Sequence, residues 1–258
     1  MLNFTLPIFI KEGSIKLTKK ILLYSGSRNL SSRTNIIIEQ IHSYIVGNYA
    51  DIQTTKIDPL SMPLRHSTGC KNCFEHGTCP SEGYADDNGK FLKEKADEAD
   101  LIIFATPVYS HNVSSDSKIF IDRLSYWGHL MKFAGKSVIT IVTCESNGGE
   151  HVDSYLKKVF TFMGANILHS EIFFKNYDED EYREGLEEIE SVIHDHYKND
   201  FPVVISDKHE STFQTMKSIL NKYPKEHFEY RYWEESGMFK SPTLKEHIKS
   251  KSSEGLKC

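Results

Sequence analysis

The stretch that decides the fold reads ILLYSGSRNLSSRT and runs from Ile21 to Thr34. A short apolar run of this kind is typical of a buried parallel strand, and the helical pattern that follows begins with unpaired N–H groups at its positive dipole end. Such a helix start binds phosphate. The alternative is an ordinary serine-capped helix after a strand. Neither G-x-G-x-x-G nor G-x-x-x-x-G-K-[ST] is present. Hydroxyl and guanidinium groups that can bind the anion belong to Ser27, Arg28, Ser32, Arg33 and Thr34.

Strand-like and helix-like segments alternate after this stretch. Apolar runs predict strands over residues 20–25, 52–57, 101–105, 137–143 and 166–174. Helical periodicity predicts helices over residues 32–47, 114–127, 152–163 and 178–197. Strict alternation predicts a parallel sheet covered by helices on both faces. The domain that we expect spans residues 20–200, with an N-terminal extension over residues 1–19 and a C-terminal extension over residues 201–258.

The C-terminal extension is rich in lysine near its end, with lysines at positions 240, 245, 249, 251 and 257. It also contains a helical pattern near residues 212–223. A charged tail is most often solvated surface or a disordered segment, and this is the interpretation that we favour. The alternative is an arm that docks on a second subunit or on another partner.

Composition excludes several classes of protein. The chain has 258 residues, of which 39% are hydrophobic and 26% charged, and its formal charge is -5. These values are typical of a globular protein and give no electrostatic footprint for nucleic acid. No apolar run is long enough for a membrane span, and the first 15 residues lack the pattern of a signal peptide. We therefore expect a cytoplasmic protein without nucleic-acid or membrane partners.

Ligands of such a sheet collect beyond the carboxyl ends of its strands. The loops after the first, third and fourth predicted strands should therefore converge. They suit a phosphorylated, flat aromatic ligand, because proline stiffens the second loop and glycines allow close backbone approach in the third. The second loop contains Pro107, Val108, Tyr109, Ser110, His111 and Asn112, and the third contains Thr143, Cys144, Glu145, Ser146, Gly148 and Gly149.

An ordered set of motifs over residues 20–197 resembles the flavodoxin-like NAD(P)H-dependent FMN reductases, in the branch that includes the iron-sulfur flavoproteins. The strongest pieces are the loop from Gly26 to Thr34 and the run from Glu98 to Tyr109. Weaker pieces are Cys70 to Cys73, Lys118 to Arg123, Gly135-Lys136 and Phe162 to Gly164. The resemblance implies a flavodoxin-like three-layer α/β/α sandwich with a five-stranded parallel sheet of order 2-1-3-4-5. It also implies a homodimer or homotetramer.

The resemblance further implies FMN as cofactor and NAD(P)H as co-substrate. Ser27, Ser32, Arg33 and Thr34 would hold the phosphate, while the second and third loops would line the isoalloxazine. Which of Arg28 and Arg33 reaches the phosphate stays open, because the family loop often has proline after its serine. Tyr109 and His111 are the candidate catalytic residues.

The expected reaction passes hydride from the nicotinamide to flavin N5 and electrons onward to an acceptor. The candidate acceptors are a quinone, a nitro or azo compound, free flavin, and an unsaturated group on a natural product or peptide. An FMN electron-transfer protein that serves a protein partner is the alternative.

A crowded segment contains Cys70, Cys73, His76 and Cys79 at an even spacing of three. Iron-sulfur members of the family have a third cysteine where His76 stands. Thiolate and imidazole ligands suit zinc or, less often, an iron-sulfur cluster. We favour a metal-free segment that shapes the substrate pocket, with the cluster and zinc as alternatives.

Overall fold

The structure is a computed structural model that describes residues 18–254, with side chains to residue 251. The predicted N-terminal extension therefore lies outside the described residues, except for its last two. The strands are β1 (Lys19–Ser25), β2 (Ile52–Ile57), β3 (Leu101–Tyr109), β4 (Asn112–Val113), β5 (Ser137–Cys144) and β6 (Asn166–Phe174). Each predicted strand is present, and the short β4 is additional.

The helices of the sheet domain are α1 (Arg33–Asn48), α2 (Asn72–His76), α3 (Gly89–Glu98), α4 (Ser115–Arg123), α5 (Trp127–Leu130), α6 (Gly149–Phe162) and α7 (Glu179–Lys198). Three more follow, α8 (Asp207–Leu220), α9 (Phe228–Glu235) and α10 (Leu244–Glu254). The single helix predicted over residues 114–127 is wrong in its extent, since α4 ends at Arg123. No helix within residues 18–254 is both long and apolar enough to cross a bilayer.

The five long strands are parallel, in the spatial order β2-β1-β3-β5-β6. This is the predicted order 2-1-3-4-5, because β4 only forms a hairpin with β3. Apolar residues of α1 and α7, such as Ile41 and Ile189, pack on one face of the sheet. Residues of α3, α4 and α6, such as Leu92, Phe120 and Phe160, pack on the other. The result is the three-layer sandwich of the flavodoxin-like fold.

The expectation of a solvated or disordered C-terminal extension is wrong for the part that the structure describes. Trp233 of α9 is fully buried and stacks on Phe213 of α8, with ring centroids 5.2 Å apart. Its indole N–H donates to the carbonyl of His129 at 3.0 Å. The His129 ring in turn pairs with the buried Glu229 carboxylate, with 2.8 Å between Nδ1 and Oε1. These apolar and polar contacts attach α8 and α9 to the α/β core.

Helix α9 also packs against α2, in the cysteine-bearing segment. A Cβ atom added at Gly77, which has a φ of 76°, would lie 2.6 Å from the ring of Phe228. Only glycine therefore fits between the end of α2 and the start of α9.

Candidate functional site

The loop after β1 is fixed by backbone contacts to β3 and α4. The Gly26 N–H donates to the Ala105 carbonyl at 2.8 Å, and the Ser114 hydroxyl donates to the Gly26 carbonyl at 2.6 Å. A Cβ at Gly26 would lie only 1.9 Å from the Ser117 hydroxyl oxygen. Glycine is therefore required where the loop passes over the start of α4.

Asn35, which the sequence reasoning missed, shapes the same loop from inside α1. Its side-chain amide donates to the carbonyls of Asn29, at 2.7 Å, and Ser27, at 3.3 Å. Its own N–H donates to the hydroxyl of Ser32, the N-cap of the helix. An asparagine three residues after a serine cap is the signal that could have indicated this role.

The predicted hydroxyl ligands divide into two groups. Ser27 and Thr34 are buried, each at 1% exposure. The Ser27 hydroxyl accepts from the Asn29 N–H at 3.3 Å, and the Thr34 hydroxyl bonds that of Thr143 at 2.7 Å. Both therefore hold the loop and its neighbours in place, whereas Ser32 is only half-buried at the helix start. The N–H groups of the first turn of α1 have no intrahelical acceptor.

Both arginines flank the N-terminus of α1, each against a carboxylate. Arg28 donates to both oxygens of Asp116 at 2.9 and 2.8 Å, and this pairing raises the pKa of the guanidinium. Arg33 donates to the Cys144 carbonyl at 2.9 Å and to Glu145 at 3.2 Å. Arg33 thus joins the loop after β1 to the loop after β5. Asp116 lies on α4, and no local signal in the sequence indicated its partner.

The second predicted loop is partly strand. Pro107 extends β3 and pairs in register with Thr143 of β5, and the chain turns back at Ser110 and His111, whose φ values are 50° and 59°. Two positive φ values are those of a type I′ turn, the tight connection of β-hairpins. The prediction of an irregular loop directly after Ala105 is therefore wrong. The hairpin leaves the Tyr109 side chain 56% exposed at the carboxyl end of the sheet.

The third loop approaches this hairpin closely, as its glycines predicted. Gly148 has a φ of 83°, and a Cβ there would lie 3.0 Å from Nδ1 of His111. His151 of α6, another residue that the sequence reasoning missed, has its ring centroid 6.0 Å from that of His111. Burial raises the pKa of the Cys144 thiol, which is consistent with a small core residue rather than a reactive thiolate.

The three loops therefore meet at the carboxyl edge of the sheet. The donor set combines one positive helix end, two guanidinium groups and a backbone that glycine keeps open, and it fits the single phosphate of FMN. The exposed Tyr109 at the hairpin is suited to border a flat ring system. Chemically, the arrangement can hold one anion and one planar group, and it offers two imidazoles, of His111 and His151, beside them.

The cysteine segment lies apart from these loops. Cys70, Cys73 and Cys79 line one cavity of about 230 Å³ together with Arg123 of α4. His76 does not line this cavity, and its side chain is 64% exposed beside Glu75. Burial raises the pKa of the Cys73 thiol, whereas N–H donation from Asn72 lowers that of the exposed Cys70. Three of the four residues at this even spacing thus line one cavity, although their sulfur atoms do not form a compact metal-ligand cluster among the described residues. His76, the last residue of α2, is exposed instead.

Comparison with known proteins identifies the class. Residues 19–179 match the NADPH-dependent FMN reductase family, and the chain belongs to this family. It is an FMN-containing oxidoreductase that uses NAD(P)H. Among curated relatives, an iron-sulfur flavoprotein of Archaeoglobus fulgidus is 26% identical over 198 residues, which cover 72% of this chain and 84% of that protein. An FMN-dependent NADH:quinone oxidoreductase of Delftia acidovorans is 33% identical over 161 residues, covering 54% and 72%.

Solved structures confirm the fold. An apo NADH:FMN oxidoreductase superimposes with a TM-score of 0.53 at 20% identity, covering 74% of this chain and 94% of that one. An azoreductase from Bacillus anthracis gives a TM-score of 0.54 at 15% identity, covering 69% and 99%.

Proposed function

We propose that the enzyme reduces a small, flat acceptor of the quinone type that binds in front of Tyr109. The observation that carries this proposal is the exposure of Tyr109 at the β3–β4 hairpin, next to the loops that fit FMN. The relative from Delftia acidovorans is described as an NADH:quinone oxidoreductase. This description favours a quinone as the acceptor over nitro or azo compounds, free flavin, or an unsaturated group on a natural product or peptide.

Different parts of this chain would bind the phosphate and the ring system of FMN. The N-terminus of α1, with Ser32 and Arg33, would bind the phosphate, with Arg28 as the second candidate cation. The hairpin from Pro107 to Asn112 and the loop from Thr143 to Gly149 would border the ring system. When bound, FMN supplies hydride acceptance at N5 and electron transfer to the acceptor.

His111 would supply a proton to the reduced acceptor, and His151 lies near enough to share that role. The packing of Gly148 on His111 would hold the imidazole at a fixed distance from the third loop. No acid-base pair is needed for the hydride step itself, so binding and orientation are the main tasks of the protein.

The test compares flavin content and turnover. We expect FMN, and not FAD, to copurify with the protein, because the loops offer one anion site. Tyr109→Ala should lower or redirect quinone-dependent NAD(P)H oxidation while the affinity for FMN stays unchanged. Tyr84→Ala is the matched control, since Tyr84 is equally exposed, at 54%, but stacks on Arg65 elsewhere. Recovery of FAD alone, or normal kinetics for every acceptor in Tyr109→Ala, would contradict the proposal.

A second candidate function is electron transfer to a protein partner. The cavity lined by three thiols favours it, because thiolates can hold an iron-sulfur cluster and one relative is described as an iron-sulfur flavoprotein. We keep the metal-free interpretation of the cysteine segment as our proposal and expect no stoichiometric iron or zinc after anaerobic purification. Cys73→Ser should then keep its flavin. Stoichiometric metal that this variant loses, with slow NAD(P)H oxidation, would support the carrier instead.

The family resemblance also supports a homodimer or homotetramer, which sedimentation of the flavin-loaded protein measures directly.

A further inference from the structure

Strand β6 carries two ionisable residues on the face that packs against α7. His169 pairs in register with Ile139 and Glu171 with Ile141, two residues of the apolar cluster under α1 and α7. The register shifts just before this point, between Val138 and Ile139. A β-bulge changes which face a side chain points to, and here it places His169 and Glu171 on the α7 face together with Phe173.

Glu188 of α7 completes a cluster with these two residues. The His169 Nε2 atom lies 3.2 Å from Oε2 of Glu171 and 3.8 Å from Oε2 of Glu188. All three potential ligand atoms lie within 4.8 Å of one another. Tetrahedral zinc with bonds of about 2.0 to 2.2 Å places neighbouring ligand atoms roughly 3.3 to 3.6 Å apart. The two distances from the imidazole nitrogen are therefore close to the spacing that a bound ion requires.

The surroundings of the cluster are strongly acidic. Glu171 and Glu188 also line a cavity of about 240 Å³, whose wall includes Glu181 and Glu184. Within the part of the chain that the structure describes, no lysine or arginine lines this cavity. Helix α7 comes close here because Gly185 has no side chain: a Cβ would lie 3.0 Å from the Phe173 ring and 3.5 Å from the Glu171 carboxyl carbon.

The side chains of His169 and Glu171 are only 20% and 17% exposed, whereas that of Glu188 is 56% exposed and reaches the pair from the solvent side. Four carboxylates around one cavity, two of them beside the His169 ring, concentrate negative charge that a cation would neutralise. The mixture of one nitrogen and two oxygen ligands suits Zn²⁺ and similar transition-metal ions, whereas Mg²⁺ and Ca²⁺ prefer oxygen ligands alone.

We propose that His169, Glu171 and Glu188 form a binding site for a divalent transition-metal cation of the Zn²⁺ class. The fourth coordination position of the ion opens to the acidic cavity, and the bound ion links the edge strand β6 to α7. The site is separate from the flavin site and does not depend on the proposed acceptor. The competing explanation is a protonated His169 held between two carboxylates, which would give similar distances without metal.

The test measures zinc in the flavin-loaded protein after equilibrium dialysis against Zn²⁺. His169→Gln and Glu188→Gln should each bind one equivalent fewer per chain than the unmodified protein. Glu187→Gln is the matched control, because Glu187 is the neighbour of Glu188 on α7 and pairs with Arg183 instead. Since the cysteines can also bind zinc, the difference between variants, and not the total, reports on this site.

Two further measurements keep the result interpretable. Co²⁺ bound at this site should give visible d–d bands without a thiolate charge-transfer band, and His169→Gln should lose them. Zn²⁺ should raise the melting temperature of the unmodified protein and of Glu187→Gln more than that of His169→Gln. Unchanged FMN affinity in all three variants confirms that they fold. Equal zinc content in all proteins, or zinc bound through thiolates only, would overturn the proposal in favour of the ion pair.

Discussion

Arg33 is the arginine that we expect to matter most for the cofactor, because it begins α1 and also bonds the loop after β5. Arg33→Ala should weaken FMN binding about tenfold to a hundredfold, since a charge-assisted hydrogen bond contributes about 1.5 to 3 kcal/mol. Arg28→Ala should weaken FMN binding less, because the Nε and Nη2 atoms of Arg28 already donate to Asp116. Fluorescence titration with FMN measures both affinities.

The control for these variants is Arg183→Ala, which removes an exposed arginine of α7 from a pair with Asp180. Its FMN affinity should equal that of the unmodified protein. If Arg33→Ala also binds FMN normally, the phosphate does not lie at the start of α1, and the assignment of the loop must be given up.

The sequence predicted the structural role of a single residue correctly only where that role depends on the residue type and its neighbours in the chain. Ser32 as a helix cap and Gly148 as a point of close backbone approach follow from the types of residue at those positions. Asp116 and His151 were missed because their partners come from other elements, and pairing across the fold leaves no local pattern. The site assignments themselves stay predictions until ligand binding is measured.

Among the elements, α9 should contribute much of the attachment of the C-terminal helices. Trp233→Ala should lower the free energy of unfolding by about 3 to 5 kcal/mol, because a large buried side chain is removed and a cavity remains. Denaturant titration measures the change. Arg231→Ala, at an exposed position of the same helix, should change stability by less than about 0.5 kcal/mol. Similar values for the two variants would mean that α9 is not firmly packed.

The sequence predicted the long elements well and the short ones poorly. Continuous apolar runs and helical periodicity identified the five parallel strands and the helices α1, α4, α6 and α7. They missed α3, the crossover helix between β2 and β3. The β3–β4 hairpin was missed because its turn has serine and histidine in place of the usual glycine or asparagine. The C-terminal helices were underestimated because their buried apolar residues, such as Phe213 and Leu244, are separated by polar and charged ones.

At the scale of the whole molecule, buried histidines should make the free energy of unfolding depend on pH. Burial lowers the pKa of His196 from 6.5 to about 4, and burial also lowers the pKa values of His209 and His247. The unfolded chain therefore binds more protons between about pH 4 and 6.5, so stability is complete above this range and falls as the pH decreases through it. His196 alone accounts for about 3 kcal/mol of the loss.

Thermal or denaturant unfolding between pH 4 and 8 measures this dependence. His196→Leu should reduce the slope of the free energy of unfolding against pH, whereas His66→Leu, at an exposed position, should leave that slope unchanged. A pH profile that is the same in His196→Leu and in the unmodified protein would show that this histidine is not buried as a neutral group.

The contact of Phe228 with Gly77 sets an order of events during synthesis. The ribosome releases the chain from its N-terminus, so the sheet domain emerges before α9 exists. Until then the Phe228 ring is not in place against Gly77, and α2 packs only on earlier parts of the chain, such as Tyr126 and His129. Every residue that lines the cysteine cavity lies between positions 67 and 125, so this cavity can form before α9 is translated. The docking of α9 on α2 is then a late step that follows release of the C-terminal helices from the ribosome.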